Sequence, residues 1–226
     1  MGTISLEKRD SLYWLGRYTE RVYTTLNIFN KCFDRMLDSD ENAYQNLCCR
    51  LDIPNIYQNH EDFIHRFLFD ESNPDSVITS LNRSYDNGIM LRDEISSETL
   101  AYLLMALDIY KASVHSDVQP MALIPVTDYL LAFWGSLDDY IYDHRCRNII
   151  KVGRYVERLD LYYRCSFSDQ DIDLTLHKLK YHLGESGLQY DQGIFDAIFA
   201  ISENKDLRTE GWHRRCAMKL LGLIAA

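Results

Sequence analysis

A chain of 226 residues with 46% hydrophobic and 26% charged residues has the balance of a folded globular protein, which excludes the disordered and fibrous classes. Lys and Arg number 24 against 34 Asp and Glu, and the net charge of −10 repels a phosphate backbone as a whole, so no nucleic-acid partner is expected. No window reaches the roughly 18 consecutive apolar residues of a membrane span, so no membrane partner is expected either.

The opening MGTISLEKRD carries charge where a signal peptide needs an apolar run, and Cys32, Cys48, Cys49, Cys146, Cys165 and Cys216 show no Cys-x-x-Cys spacing. Reduced thiols and a cytoplasmic location are the expectation. Most of these cysteines fall within helical patterns, where buried, inert thiols are expected.

Only four prolines and ten glycines interrupt the chain. From the start, Leu12, Leu15, Thr19, Val22, Leu26, Phe29, Phe33 and Met36 recur at alternating steps of three and four, the seam of a bundle helix, with Asp10 or Ser11 as N-cap. Further helices are expected at about 42–50, 60–69, 75–93, 97–115, 126–143, 145–166, 170–183, 191–202 and 208–222. The turn before residue 77 is the clearest, because Asn73-Pro74 disfavours helix while Asp75 or Ser76 caps the next one. No strand pattern competes. The fold class is therefore all-α, a single multi-helix bundle domain over residues 1–226 with an internal repeat.

The repeat lies in the helices at about 10–38 and 145–166. Gly16-Arg17-Tyr18-Thr19-Glu20-Arg21 and Gly153-Arg154-Tyr155-Val156-Glu157-Arg158 differ only at Thr19 and Val156. Leu12, Leu15, Thr19, Val22 and Leu26 correspond in frame to Ile149, Val152, Val156, Leu159 and Tyr163. Each glutamate sits one turn after a glycine, so its side chain lies over a residue that has none and leaves room for a helix or ligand to approach. Arg17 lies three residues before Glu20 and four before Arg21, as Arg154 does before Glu157 and Arg158, so each helix can place a carboxylate beside two guanidiniums of its own. Trp14 and Tyr18 lie on the Arg21 side, which implies that this helix is contacted on two faces.

These residues resemble the Alpha-E family, bacterial all-helical proteins named for a Glu-Arg motif. YWLGRYTERVYTTL is similar to its first signature, VGRYVERLD to its second, and FLFDESNPDSVITSL with DNGIMLRDEISSE to its middle one, over about residues 11–165. Tyr23, Asn27, Tyr85 and Ile89 depart from the family pattern, and the chain is shorter than typical members. The resemblance implies a gene context of ATP-grasp-type amide-bond ligases and transglutaminase-like peptidases. It also adds Asn87, Arg92, Asp93 and Glu98 to Arg17, Glu20, Arg21, Arg154, Glu157 and Arg158 as candidate ligand-binding residues.

The expectation is a helical accessory or ligand-binding protein that acts with an ATP-grasp-type ligase in peptide synthesis or modification. Its polar Glu/Arg pocket would take an anionic peptide or amino-acid ligand through carboxylate or phosphate. The alternative is a stand-alone enzyme of the same pathway with Glu20 or Glu157 as general base. Two guanidiniums per carboxylate argue for an ionised, weakly basic glutamate.

Other motifs carry less. His60 and His65, like His177 and His182, are one residue too far apart for a helical zinc pair. Asp138, Asp139 and Asp143 are reminiscent of a magnesium-diphosphate helix, a remote prenyl-transfer alternative that lacks a second acidic motif. Asp169, Asp171 and Asp173 begin like a calcium loop, but Leu174 and Lys180 occupy positions that need Gly and Glu, and a capped helix start fits better. No cofactor or metal is expected. Arg145, Arg147, Lys151, Arg154, Arg158 and Arg164 face only Glu157 and Asp160 in their own segment, so these cations need partners on neighbouring helices or an anionic ligand.

Overall fold

The computed structural model describes residues 4–115 and 119–224. In chain order, α1 (Leu6–Asp38) is followed by α2 (Ala43–Leu51), α3 (His60–Phe69), α4 (Val77–Met90) and α5 (Ser97–Ala112). A 3-10 turn (Ser113–His115) and the short α6 (Gln119–Ala122) lead to α7 (Ile124–Tyr140), α8 (His144–Arg164) and α9 (Asp169–Ser186). Then come α10 (Gln192–Glu203), a 3-10 turn (Lys205–Leu207) and α11 (Trp212–Leu220). Among the described residues the only β-type pairing is an isolated bridge between Tyr190 and Ile224. The fold is all-α.

Helix ends differ from the sequence reading where tertiary contacts or caps decide. α1 is capped by Ser5, whose Oγ accepts from the Lys8 amide at 3.3 Å, so Asp10 and Ser11 lie inside the helix. The extra turns precede the apolar seam and are tied down by the Lys8–Glu94 ion pair, a contact that periodicity does not report. Ser76 caps α4 as expected, accepting from the Thr79 amide at 3.2 Å. α11 starts only at Trp212, because Arg208 is drawn back onto the Ile201 and Ser202 carbonyls and Asp173, and Gly211 takes φ 71°.

α1 and α8 form the centre, with α4 against α1, α9 and α11 against α8, and α5 against α7. All the seam residues of both helices are buried except Phe33, which is half-buried. The two helices run in the same direction: Gly16 lies against Ile150 and Arg154, Glu20 further on meets Arg158, and Lys31 near the end of α1 meets Phe167 just past the end of α8. The approach is too close for any side chain. A Cβ on Gly16 would stand 2.0 Å from the Ile150 carbonyl oxygen, and one on Gly153 would stand 2.1 Å from that of Tyr13. Thr19, the one polar residue in the α1 seam, donates to the Leu15 carbonyl at 2.8 Å and meets Ser84 of α4 through an Oγ1–Oγ contact of 2.6 Å.

α8 closes with a left-handed residue after its C-cap. The Phe167 amide donates to the Tyr162 carbonyl at 3.0 Å, the Phe167 ring stacks on Tyr162 at 4.1 Å, and Ser166 between them holds φ 55°. Glycine is the usual occupant of that position because a Cβ is strained there.

Gly16→Ala and Gly153→Ala are each expected to cost about 3 kcal/mol or more, because the new methyl meets backbone that cannot step aside. Gly184, with nothing within 4 Å of its would-be Cβ, is the control: Gly184→Ala should gain up to about 1 kcal/mol from helix propensity. Chemical denaturation of the three variants checks the contact, and equal behaviour at Gly16 and Gly184 would rule it out. Ser166→Gly should raise stability by up to about 1 kcal/mol in the same assay.

Candidate functional site

The two Glu-Arg motifs clasp each other across the glycine contact. Glu157 accepts from Arg17 Nε at 2.6 Å, from Arg21 Nε at 2.5 Å and from Arg21 Nη2 at 3.2 Å. Glu20 accepts from Arg154 Nε at 3.1 Å, from Arg158 Nε at 2.6 Å, from Arg158 Nη2 at 2.9 Å and from Thr24 Oγ1 at 2.7 Å. Each glutamate therefore takes both arginines of the opposite helix, whereas the spacing alone suggested the arginines of its own. The glycines are the reason: with no side chain at Gly16 or Gly153 the backbones meet, and each carboxylate reaches the guanidiniums across the seam sooner than those beside it. Glu20 is 0% and Glu157 1% exposed. Ionised carboxylates so deeply buried are tolerable only because each is bonded to two cations.

The two halves of the clasp differ. At the Glu20 end, Arg154 lies over the Trp134 ring at 4.2 Å, and both Arg154 and Arg158 lie over Tyr155 at 5.7 Å. At the Glu157 end, Arg21 is one-third exposed. There Arg17, Arg21 and Glu157 border a cavity of about 240 Å³. Its far walls are the end of α2, the Asn73-Pro74 turn with the start of α4, and the last turn of α8. Arg164 stands on that wall, donating to Asp160 at 2.9 Å and pairing with Asp52 at 3.3 Å. Asp52 caps α2 in the left-handed conformation, φ 59°.

α1 is packed by α8 on one side and by α4 on another, as the aromatics near Arg21 implied, and those aromatics also stack on arginines. Arg17 lies over Trp14 at 5.1 Å, and Arg21 and Arg83 lie over Tyr18 at 5.4 and 5.6 Å, while Trp14 itself remains exposed.

Burial pushes the Glu157 carboxyl up, but the Arg21 and Arg17 guanidiniums beside it pull it down further, to about 2. Arg17 is raised: burial works against its charge, and Glu157 outweighs that. Arg154 is lowered, burial outweighing its single bond to Glu20, though an arginine remains charged. The Asp160 carboxyl is pushed up by burial against the pull of Arg164.

Of the ten candidate residues, six form the clasp. The other four lie apart, and none bonds to Glu20 or Glu157: Asn87 donates to the Arg83 carbonyl at 2.8 Å, Arg92 and Asp93 are exposed and face each other at 3.9 Å, and Glu98 is exposed near the start of α5. The middle signature reaches the centre instead through Ser84, Arg83 and Glu94, the last bonding Lys8 and the Cys146 thiol. Thr19 in an apolar seam was the one sequence signal for such a polar contact.

The remaining motifs have local roles. α7 ends at Tyr140, so Asp139 and Asp143 do not share a helix face; Asp143 caps α8, and Asp138 pairs with Lys151 and Arg147. Ser168 caps α9, and Asp169 and Asp173 hold Arg208. Arg147, Lys151, Arg154, Arg158 and Arg164 thus have acidic partners on α1, α7, the α2 C-cap or α8 itself, whereas Arg145 is exposed and makes no ion pair among the described residues. All six cysteines are free thiols, but Cys49 is exposed and Cys32 half-buried, unlike the buried majority.

A family model described as "a predicted alpha-helical domain with a conserved ER motif", Alpha-E, matches residues 9–192. No curated protein and no solved structure matches the chain.

Because Glu157 is held below its unfolded value of about 4.5, it contributes stability that is fully present above that pH and is lost as pH falls toward 2. The expected loss across that window is about 3 kcal/mol. Glu157→Gln should be less stable than the parent at pH 7 and should lack this part of the acid slope, which urea denaturation between pH 7 and 2 measures. Parallel pH profiles for the two proteins would contradict the assignment.

Proposed function

The chain belongs to the Alpha-E family, and from that premise we propose that it is a ligand-binding accessory protein whose site is the open, Glu157 half of the clasp. The observation that carries this reading is the asymmetry: the same motif occurs twice, but the cavity borders Arg17, Arg21 and Glu157 and not Glu20. The Glu20 copy is enclosed, whereas the Glu157 copy bonds across the helices and borders the cavity as well.

The chemistry of the wall narrows the ligand. Arg17, Arg21 and Arg164 stand among Glu157, Asp160, Asp52 and Asp75. A purely anionic guest gains from three arginines but meets four acids. A free amino acid or peptide end, which presents a carboxylate and an ammonium together, fits a wall of both signs: its carboxylate toward Arg21, the most accessible guanidinium, and its ammonium toward Asp52 or Asp75. That ligand class is what an ATP-grasp-type amide ligase consumes, and such a ligase is the partner this reading names. A cytoplasmic location goes with it.

The rival, general-base catalysis by Glu20 or Glu157, is weaker on the same observations. Glu20 is fully enclosed and bonded to Arg154, Arg158 and Thr24. Glu157 is too acidic to take a proton well near neutrality.

Calorimetric titration with free amino acids and dipeptides is the test, with and without the ligase encoded nearby. Binding by the parent should weaken about tenfold or more in Arg21→Gln, where a half-buried charge contact worth about 1.5–3 kcal/mol is lost, and by a smaller factor in Asp52→Asn, whose side chain is largely in solvent, each variant being checked for folding by circular dichroism. Absence of binding to any zwitterion sinks the proposal, as does turnover of a substrate by the chain alone that Glu157→Gln abolishes without unfolding it.

A further inference from the structure

A second cavity, of about 380 Å³, lies where the C-terminal part of α1 meets α2 and the turn from α8 to α9. Its size is within the range of small-molecule sites. Unlike the first cavity, its charge is unbalanced: Lys31, Arg35 and Arg50 face it against the single acid Asp171. The chain as a whole is at −10.

These cations are not committed to protein carboxylates. Lys31 makes no ion pair among the described residues and lies over the Phe167 ring at 5.4 Å. Arg50 donates to the Cys165 carbonyl at 3.3 Å and to no acid among the described residues. Arg35 has Asp40 at 3.6 Å, with both side chains largely in solvent, where such a pair is worth little. Asp171 is occupied with Ser168, whose hydroxyl donates to it at 2.6 Å.

An independent observation comes from the backbone. Among the described residues only Asp52 and Ser166 hold a positive φ without being glycine, and each lines one of the two cavities. Glycine at 166 would complete the same helix stop with less strain. The Ser166 side chain is exposed, its hydroxyl makes no hydrogen bond among the described residues, and it lines the same cavity as Lys31, Arg35 and Arg50, where it is available as a donor.

We infer that this second cavity binds a small molecule through a phosphate group, held by Lys31, Arg35 and Arg50 with the Ser166 hydroxyl as a further donor. A planar carboxylate is satisfied by one bidentate arginine, whereas a tetrahedral dianion uses donors that converge from α1, α2 and the α8–α9 turn. Burial pushes both cysteines that line it, Cys32 and Cys165, up to about 11. The inference does not depend on the ligand of the first cavity.

Isothermal titration of the full chain with inorganic phosphate and with pyrophosphate, at an ionic strength fixed with sodium chloride, tests it. The dissociation constant should rise about tenfold in Lys31→Gln and in Arg50→Gln, and several-fold in Ser166→Gly, which stays folded and becomes more stable. Lys111→Gln, on α5, should bind as the parent does. Failure of the folded parent to bind either probe overturns the inference. So does binding that Lys31→Gln and Arg50→Gln leave unchanged, which would mark a general salt effect.

Discussion

The backbone contact between Gly16 and Gly153 is the constraint on which the rest of the centre depends. Once two helices touch without side chains between them, residues one turn further on point across the seam, and whatever stands there must be complementary. Here those residues are glutamates and the groups opposite are arginines, so the close approach and the ion pairs require each other. Buried ion pairs alone are a poor source of stability, because desolvation offsets much of the attraction. Their value in this fold is specificity of register. A slip of either helix by one turn would leave each carboxylate opposite one guanidinium at most, and would press Cβ atoms into carbonyl oxygens.

A duplicated motif gives a symmetric clasp only as far as its own side chains reach. Beyond them the neighbours differ. The Glu20 half is covered by Trp134 of α7 and Tyr155, with Thr24 supplying one more hydrogen bond. The Glu157 half looks toward the end of α2 and the Asn73-Pro74 turn, whose proline keeps chain from continuing as helix and leaves a hollow. The same charge pattern thus yields one sealed lock and one lock with an open side. The open side keeps Glu157 ionised through two arginines while leaving Arg21 partly in solvent, a combination that suits holding a charged ligand better than moving a proton.

The helical class, the seam and the repeat were legible in the sequence because they are periodic: burial of Leu12, Leu15, Val22, Ile149, Val152 and Leu159 follows from spacing alone. The pairing within the clasp was not. An angular reading says which face a side chain occupies but not whether its partner sits above it or across from it, and the glycines decide between the two. Asn87, Arg92, Asp93 and Glu98 show the other limit, since a signature shared with a family marks a segment without saying which of its residues turn inward. Ser84 and Glu94 do so, through contacts with Thr19 and Lys8 that are remote in the chain. The cavities were equally out of reach, being made where several helix ends fail to meet.

Those helix ends also decide how the charges around the second cavity are to be read. Arg35, Arg50 and Arg164 stand in the last turns of α1, α2 and α8, where a cation offsets the partial negative charge of the unpaired carbonyls. Arg164 is further neutralised by Asp160 and Asp52, and it lines the first cavity. Arg35 and Arg50 therefore have a reason to be where they are that involves no ligand. Lys31 does not: it lies more than a turn inside α1, serves no helix end and has no acid paired with it among the described residues, yet it faces the same hollow. The charge left over after the helix ends are satisfied resides on Lys31. That makes Lys31, more than either arginine, the residue whose removal separates a ligand site from a set of well-placed helix caps.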